Sequence, residues 1–197
     1  MVPSKQWKEV NETVNARNYL DAVCELLQKS DSEKLDAAVD MILDAMAKGN
    51  AIFAAGNGGS AATANHFVGD FGKNVVPGNE GRPKVMSLCC NMSSVTAYAN
   101  DEGYENAFSR QLVNWIMPGD VLIVISASGN SPSVVEAAKL AREKGGRVIA
   151  MTGFTGGKLM EISDVCLHAD DTRYETVEDA HSTFCHLIVS CVKSRLN

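Results

Sequence analysis

The first stretch of regular patterning runs from about residue 32, where Leu35, Ala38, Val39, Ile42 and Met46 recur at helical spacing until Gly49 supplies a left-handed stop. An earlier helix is expected over 9–29. After Gly49 the pattern changes to short apolar runs at 51–55, 84–89, 121–126, 148–152 and 165–168, each ending in small polar residues and followed by a helical stretch. Runs of this length without polar alternation suit parallel strands covered on both faces, with the intervening helices as crossovers. The final segment, 176–196, places Val177, Ala180, Phe184, Ile188 and Cys191 on one apolar stripe and predicts a closing helix that packs on the sheet or on another subunit. The fold class that follows is α/β, a doubly wound five-stranded parallel sheet flanked by helices. The expected organisation is one domain over 1–197, with a helical segment at 1–49 and an α/β core at 50–197. Residues 76–83 read as a surface loop.

Composition narrows the function. The 197 residues are 45% apolar and 21% charged, near the average for globular proteins, which excludes disordered, collagen-like and coiled-coil chains. A formal net charge of −6 leaves no basic excess for a phosphodiester backbone or an anionic membrane, so neither nucleic acid nor membrane is an expected partner. No apolar stretch approaches the length of a membrane span, and the first residues lack the apolar centre of a signal peptide. The six cysteines form no CxxC pair and read as reduced thiols, which points to the cytoplasm.

Ligands of open parallel sheets bind at the carboxyl ends of strands. Two such ends carry similar loops: Gly56-Asn57-Gly58-Gly59-Ser60 after the first run, and Ser126-Ala127-Ser128-Gly129-Asn130-Ser131 after the third. Glycines let backbone amides approach an anion, a following helix N-terminus adds partial positive charge, and hydroxyls add donors. Either loop alone could be a tight turn with Ser60 or Ser131 capping a helix. The pair reads as a phosphate cradle. Neither loop is followed by GK[ST], and neither matches G-x-G-x-x-G, which removes nucleoside triphosphate and dinucleotide readings.

His66 and Asp70, four apart on the helix after the first loop, share one face and could chelate a divalent metal. Glu175, Glu178, Asp179, His181 and His186 gather near the end of the chain. Glu178 and His186 are too far apart to share one ion comfortably, since eight residues of continuous helix span about 12 Å. Either the first turn is distorted, or the two residues serve sites of different subunits. His181 falls on the apolar stripe and is expected to be a satisfied core histidine.

The segments GNGGSAATANHFVGDF at 56–71, TAYANDEGYENAFSRQL at 96–112, GDVLIVISASGNS at 119–131 and MTGFTGG at 151–157 resemble, in order and over nearly the whole chain, the phosphoheptose isomerases of the sugar isomerase (SIS) fold, a flavodoxin-like sheet. The resemblance implies a cytoplasmic homotetramer with active sites at subunit contacts. There sedoheptulose 7-phosphate becomes D-glycero-D-manno-heptose 7-phosphate through a metal-assisted enediol, the first step toward nucleotide-activated heptose. It implies zinc, with His66 and His186 as metal histidines, and substrate contacts from Asn57, Gly58, Gly59, Ser60, Ser126, Ala127, Ser128 and Ser131.

Some positions depart from the family pattern. Asp70 stands where the family has a glutamate that is metal ligand and presumed base, Glu178 where it has a glutamine, and Asn91 where it has an aspartate. Ala127 removes one hydroxyl from the second loop. The expectation is that Asp70 and Glu178 share the metal and base roles, with His186 also catalytic and Glu178 and Asn91 contacting substrate. Two other readings stand beside this one: an isomerase for a different ketose phosphate, and a non-catalytic SIS module that binds sugar phosphate and regulates replication initiation.

Overall fold

A computed structural model describes residues 15–78 and 81–196. Part of the helix expected over 9–29 therefore lies outside the described residues, and the rest is α1 (Ala16–Gln28), whose N-cap Asn15 accepts a hydrogen bond from the Asn18 amide at 2.9 Å. Asp31 caps α2 (Ser32–Ala47) in the same way, accepting from Glu33 and Lys34.

Five strands follow: β1 (Ala51–Gly56), β2 (Lys84–Ser87), β3 (Val121–Ser126), β4 (Arg147–Thr152) and β5 (Val165–His168). All neighbouring pairs are parallel, in the order β2-β1-β3-β4-β5. Between them run α3 (Gly59–Asn74), α4 (Met92–Glu102), a 3₁₀ turn at Tyr104–Asn106, α5 (Ser109–Val113), α6 (Pro132–Glu143) and α7 (Gly157–Ile162), and α8 (Tyr174–Leu196) closes the chain. Strand β2 is two residues shorter than its apolar run suggests, because residues 88–90 turn away from the sheet. The closing helix starts two residues early, at Tyr174, and its buried stripe ends on Val192 rather than Cys191.

Alternation along the strands divides the core in two. Ile52, Ala54, Ile123, Ile125, Ile149 and Met151 point to one face, where α2, α3 and α8 supply Val39, Ile42, Phe67, Phe71, Phe184 and Ile188. Phe53, Ala55, Leu122, Val124, Val148 and Ala150 point to the other, covered by α4 to α7 through Val95, Leu112, Val134, Ala138 and Leu159. Burial on both faces is the physical reason that the strands read as unbroken apolar runs. The chain winds outward in both directions from β1 and β3, so the crevice at their carboxyl ends is the topological switch point. Among the described residues no helix is long and apolar enough to cross a membrane.

Candidate functional site

The loops that leave β1 and β3 stand side by side at this switch point and enclose a cavity of about 280 Å³. Its walls include Asn57, Gly58, Gly59, Ser60, Ser126, Ala127, Ser128 and Ser131, joined by Tyr174 and Glu178 from the first turns of α8. Every loop residue expected to contact substrate therefore lines the cavity. The N-termini of α3 and α6 both face it, so unpaired backbone amides and helix dipoles converge on one point. A cleft of about 620 Å³ lies at the opposite, amino-terminal ends of β1 and β2, but among the described residues that line it there is neither an acid nor a histidine.

Local chemistry fixes the loops. A Cβ on Gly59 would stand 2.8 Å from Glu178 Oε2, so glycine there is what lets the α8 carboxylate lie against the start of α3. Gly129 adopts φ of +62°, and a Cβ there would collide with the Gly156 carbonyl, which ties the second loop to the turn after β4. Asn57 is held at both ends of its amide: Oδ1 accepts from the Tyr104 hydroxyl at 2.8 Å and Nδ2 donates to Ser133 Oγ at 2.9 Å. Ser126 Oγ donates to Ser131 Oγ at 3.4 Å, and Ser128 Oγ accepts from the Asn130 amide at 3.3 Å.

Tyr174 is held from behind. Its ring packs 4.8 Å from that of Phe154, which has φ of +54° and donates its amide to the Asp171 carbonyl at 2.8 Å. Burial alone would raise the Asp171 carboxyl, but Arg173 and Thr176 hydrogen bonds outweigh it and hold the group down at about 2. Its negative charge thus anchors the turn into α8.

Three potential ligands meet elsewhere on the α3 and α8 pair. His66 Nε2 lies 2.9 Å from His186 Nε2, and Asp70 Oδ2 lies 3.3 Å from the first and 3.8 Å from the second. All three donor atoms fall within 4.8 Å of one another. Metal–nitrogen bonds of about 2.0 to 2.1 Å in a tetrahedron put ligand atoms roughly 3.3 Å apart, so this mixed nitrogen and oxygen set fits a borderline divalent ion and leaves a coordination position open. Both histidine side chains are more than half exposed, which keeps the open side accessible.

Glu178 is not part of that group. Helix α8 is unbroken from Tyr174 to Leu196, which excludes the distorted first turn, and eight residues of rise hold Glu178 about 12 Å from His186, beside the glycine loop instead. Asn91 is not at the cavity either, because its side chain caps α4 by accepting from the Ser94 amide at 3.2 Å. His181 is buried as expected but not satisfied, since among the described residues its ring nitrogens form no hydrogen bond of good geometry. Burial pulls it down to about 4, which leaves the ring neutral at physiological pH.

Sequence reading overlooked Tyr104, Ser133 and Tyr174. Tyr104 sits inside the GYE segment and Ser133 follows the second loop by two residues, so both had a local signal; Tyr174 reaches the site only through tertiary packing.

Comparison with known proteins agrees with this geometry. The SIS domain family model matches residues 17–153. A probable phosphoheptose isomerase of Thermoplasma acidophilum is 36% identical, over 92% of this chain and 100% of its own length. The phosphoheptose isomerase of Citrifermentans bemidjiense is 37% identical over 93% and 96%. The solved structure of a phosphoheptose isomerase from Neisseria gonorrhoeae superposes with a TM-score of 0.83 at 32% identity, covering 90% of this chain and 94% of that one.

Proposed function

The chain belongs to the SIS-domain phosphoheptose isomerases, and from that membership we propose that it converts sedoheptulose 7-phosphate to D-glycero-D-manno-heptose 7-phosphate, as a single SIS domain over 1–197. The observation that carries the reading is the pair of glycine and serine loops closing one cavity with a carboxylate, Glu178, at its wall. A phosphate monoester seated there takes hydrogen bonds from Ser60, Ser128 and Ser131 and from the amides that open α3 and α6, while Asn57, fixed by Tyr104, meets the sugar.

The reaction moves a proton from C1 to C2. A carboxylate removes the C1 proton of the open-chain ketose while O2 gains a proton, which gives the enediol; the O1 proton then leaves as the same carboxylic acid returns its proton to C2. Asp70 and Glu178 are the carboxylates offered for this task, and His186 would take part through the metal that it shares with His66 and Asp70. His66, Asp70 and His186 would hold zinc, which when bound polarises the substrate's oxygens and favours the ionised carboxylate.

Within one chain the cavity with Glu178 and the His66, Asp70, His186 group are separated by two turns of helix. That separation supports a homotetramer in which the cradle of one copy meets the metal group of another at a subunit contact. The absence of long apolar helices among the described residues and the six free thiols are consistent with a cytoplasmic enzyme. Asp70, Asn91, Ala127 and Glu178 keep a related ketose phosphate in view as substrate. The test is proton NMR of sedoheptulose 7-phosphate with purified protein in deuterated buffer. Deuterium at C2 of the aldose product supports the reading, whereas phosphate binding without exchange for any ketose phosphate would leave a non-catalytic sugar-phosphate-binding module.

A further inference from the structure

Cys89 and Cys90 are consecutive and occupy the turn that ends β2. The Cys89 thiol sits on the backbone of Gly56, the last residue of β1: its sulfur accepts from the Gly56 amide at 3.4 Å and donates to the Gly56 carbonyl at 3.3 Å. The next residue in the chain is Asn57, at the cavity. Cys90 is exposed, and its thiol donates to the Ser87 carbonyl at 3.0 Å. Ser87 Oγ accepts from the Cys89 amide at 3.1 Å and donates to Asn65 of α3 at 2.5 Å, so the turn, β1 and α3 are linked through one polar cluster. Burial pushes the Cys89 thiol up, and the neighbouring Cys90 acts in the same direction.

We propose that Cys89 and Cys90 form an oxidation site at which a hydroperoxide closes a vicinal disulfide, withdrawing the Cys89 sulfur from Gly56 and loosening the first anion-binding loop. The exposed Cys90 meets the oxidant first. Its thiolate attacks a peroxide oxygen, the O–O bond breaks, and the departing oxygen takes a proton to leave as water, giving Cys90 sulfenic acid. The Cys89 sulfur then displaces that hydroxyl, the S–S bond forms, and the Cys89 proton leaves with the hydroxyl as a second water. Two thiols lose two electrons and one hydrogen peroxide becomes two waters.

Reversibility follows from geometry. Adjacent Cα atoms across a trans peptide are about 3.8 Å apart. Disulfides usually span about 4.4 to 6.8 Å, so a bond between neighbours is strained and readily reduced by ordinary thiols. Closing it requires the 88–91 turn to move, and that movement pulls the Cys89 sulfur off the Gly56 amide and carbonyl. The consequence for ligand binding rests on the cradle reading given above, but the bond itself does not.

Hydrogen peroxide at stoichiometric amounts, followed by peptide mass mapping and calorimetry with inorganic phosphate, tests the proposal. In the full-length protein the peptide holding residues 89 and 90 should lose two hydrogens and regain them with dithiothreitol. Loss of one hydrogen bond to the charged phosphate corresponds to about tenfold in affinity, so phosphate affinity should fall about tenfold on oxidation and recover on reduction. Cys90→Ser and Cys89→Ser should each lose the two-hydrogen change, and Cys90→Ser should bind phosphate equally before and after peroxide. Oxidation that stops at a single added oxygen, or a disulfide with unchanged phosphate affinity, would overturn the proposal. Reduced protein that fails to bind phosphate would instead refute the cradle, and the mass change would still decide the bond.

Discussion

His66 and His186, 120 residues apart in sequence, face each other through Nε2 at 2.9 Å, with Asp70 Oδ2 within 4 Å of both. The three donor atoms, two from neighbouring turns of α3 and one from α8, converge closely enough to share one ion. This candidate metal-binding group is held by two packed helices rather than by one loop. His186→Ala leaves two ligands, and we expect bound metal to be lost and turnover to fall by orders of magnitude. Elemental analysis beside the rate assay checks this; full metal content in the variant would place the ion elsewhere.

The phosphate loops give a prediction that separates binding from folding. Hydrogen bonds to a charged group contribute about 1.5 to 3 kcal/mol, so Ser128→Ala should weaken sugar-phosphate binding about tenfold or more. Among the described residues Ser128 Oγ makes one hydrogen bond, accepting from the Asn130 amide at 3.3 Å, so the melting temperature should hardly move. Titration calorimetry and a thermal melt on the same sample decide it, and equal affinities would return the loop to a helix-capping turn.

Much of this was legible in the sequence because it is local. Continuous apolar runs announced buried parallel strands, glycine and serine clusters announced the strand ends, and the four-residue spacing of His66 and Asp70 announced a shared helix face. What stayed hidden depends on distant partners. Asn91 is spent on capping α4, and Glu178 is directed to Gly59 by the packing of α8 on α3, neither of which has a periodic signature. The eight-residue gap between Glu178 and His186 did carry information, and the straight course of α8 fits two residues serving different sites.

Tyr104 reaches from the turn after α4 to donate its hydroxyl to Asn57, and this leaves Asn57 Nδ2 free to point only toward Ser133. Tyr104→Phe keeps the ring and removes that restraint. A neutral hydrogen bond contributes about 0.5 to 1.5 kcal/mol, so KM should rise roughly three- to tenfold with kcat less affected. Steady-state kinetics gives the split; a fall in kcat at constant KM would mean that Tyr104 acts on the chemical step instead.

Asp70 reaches one methylene less far than a glutamate would, and in this structure its carboxylate already touches both histidines. Asp70→Glu should therefore push the carboxylate past the ligand position and lower both metal retention and rate. A large gain in activity would show that the shorter side chain is a defect of this chain rather than a match to its metal group.

His181 couples stability to acidity. Among the described residues its ring nitrogens form no hydrogen bond of good geometry, and burial pulls it down to about 4 from an ordinary value of 6.5; the Thr152 backbone opposes this shift and His168 adds to it. The unfolded chain therefore binds a proton at this ring below about pH 6.5. The folded protein does not until about pH 4. Stability rises with pH wherever the unfolded state holds more protons, so this ring has no effect above pH 6.5 and destabilises progressively between pH 6.5 and 4. The full loss is on the order of 3 kcal/mol. His181→Leu removes the titrating group and its buried polar atoms while keeping an apolar side chain in the core. Its urea midpoint should exceed that of the parent by a margin that grows as pH falls from 6.5 toward 4. A constant difference across that window would mean that the imidazole is protonated in the folded state, held so by the Thr152 backbone, which already acts against burial.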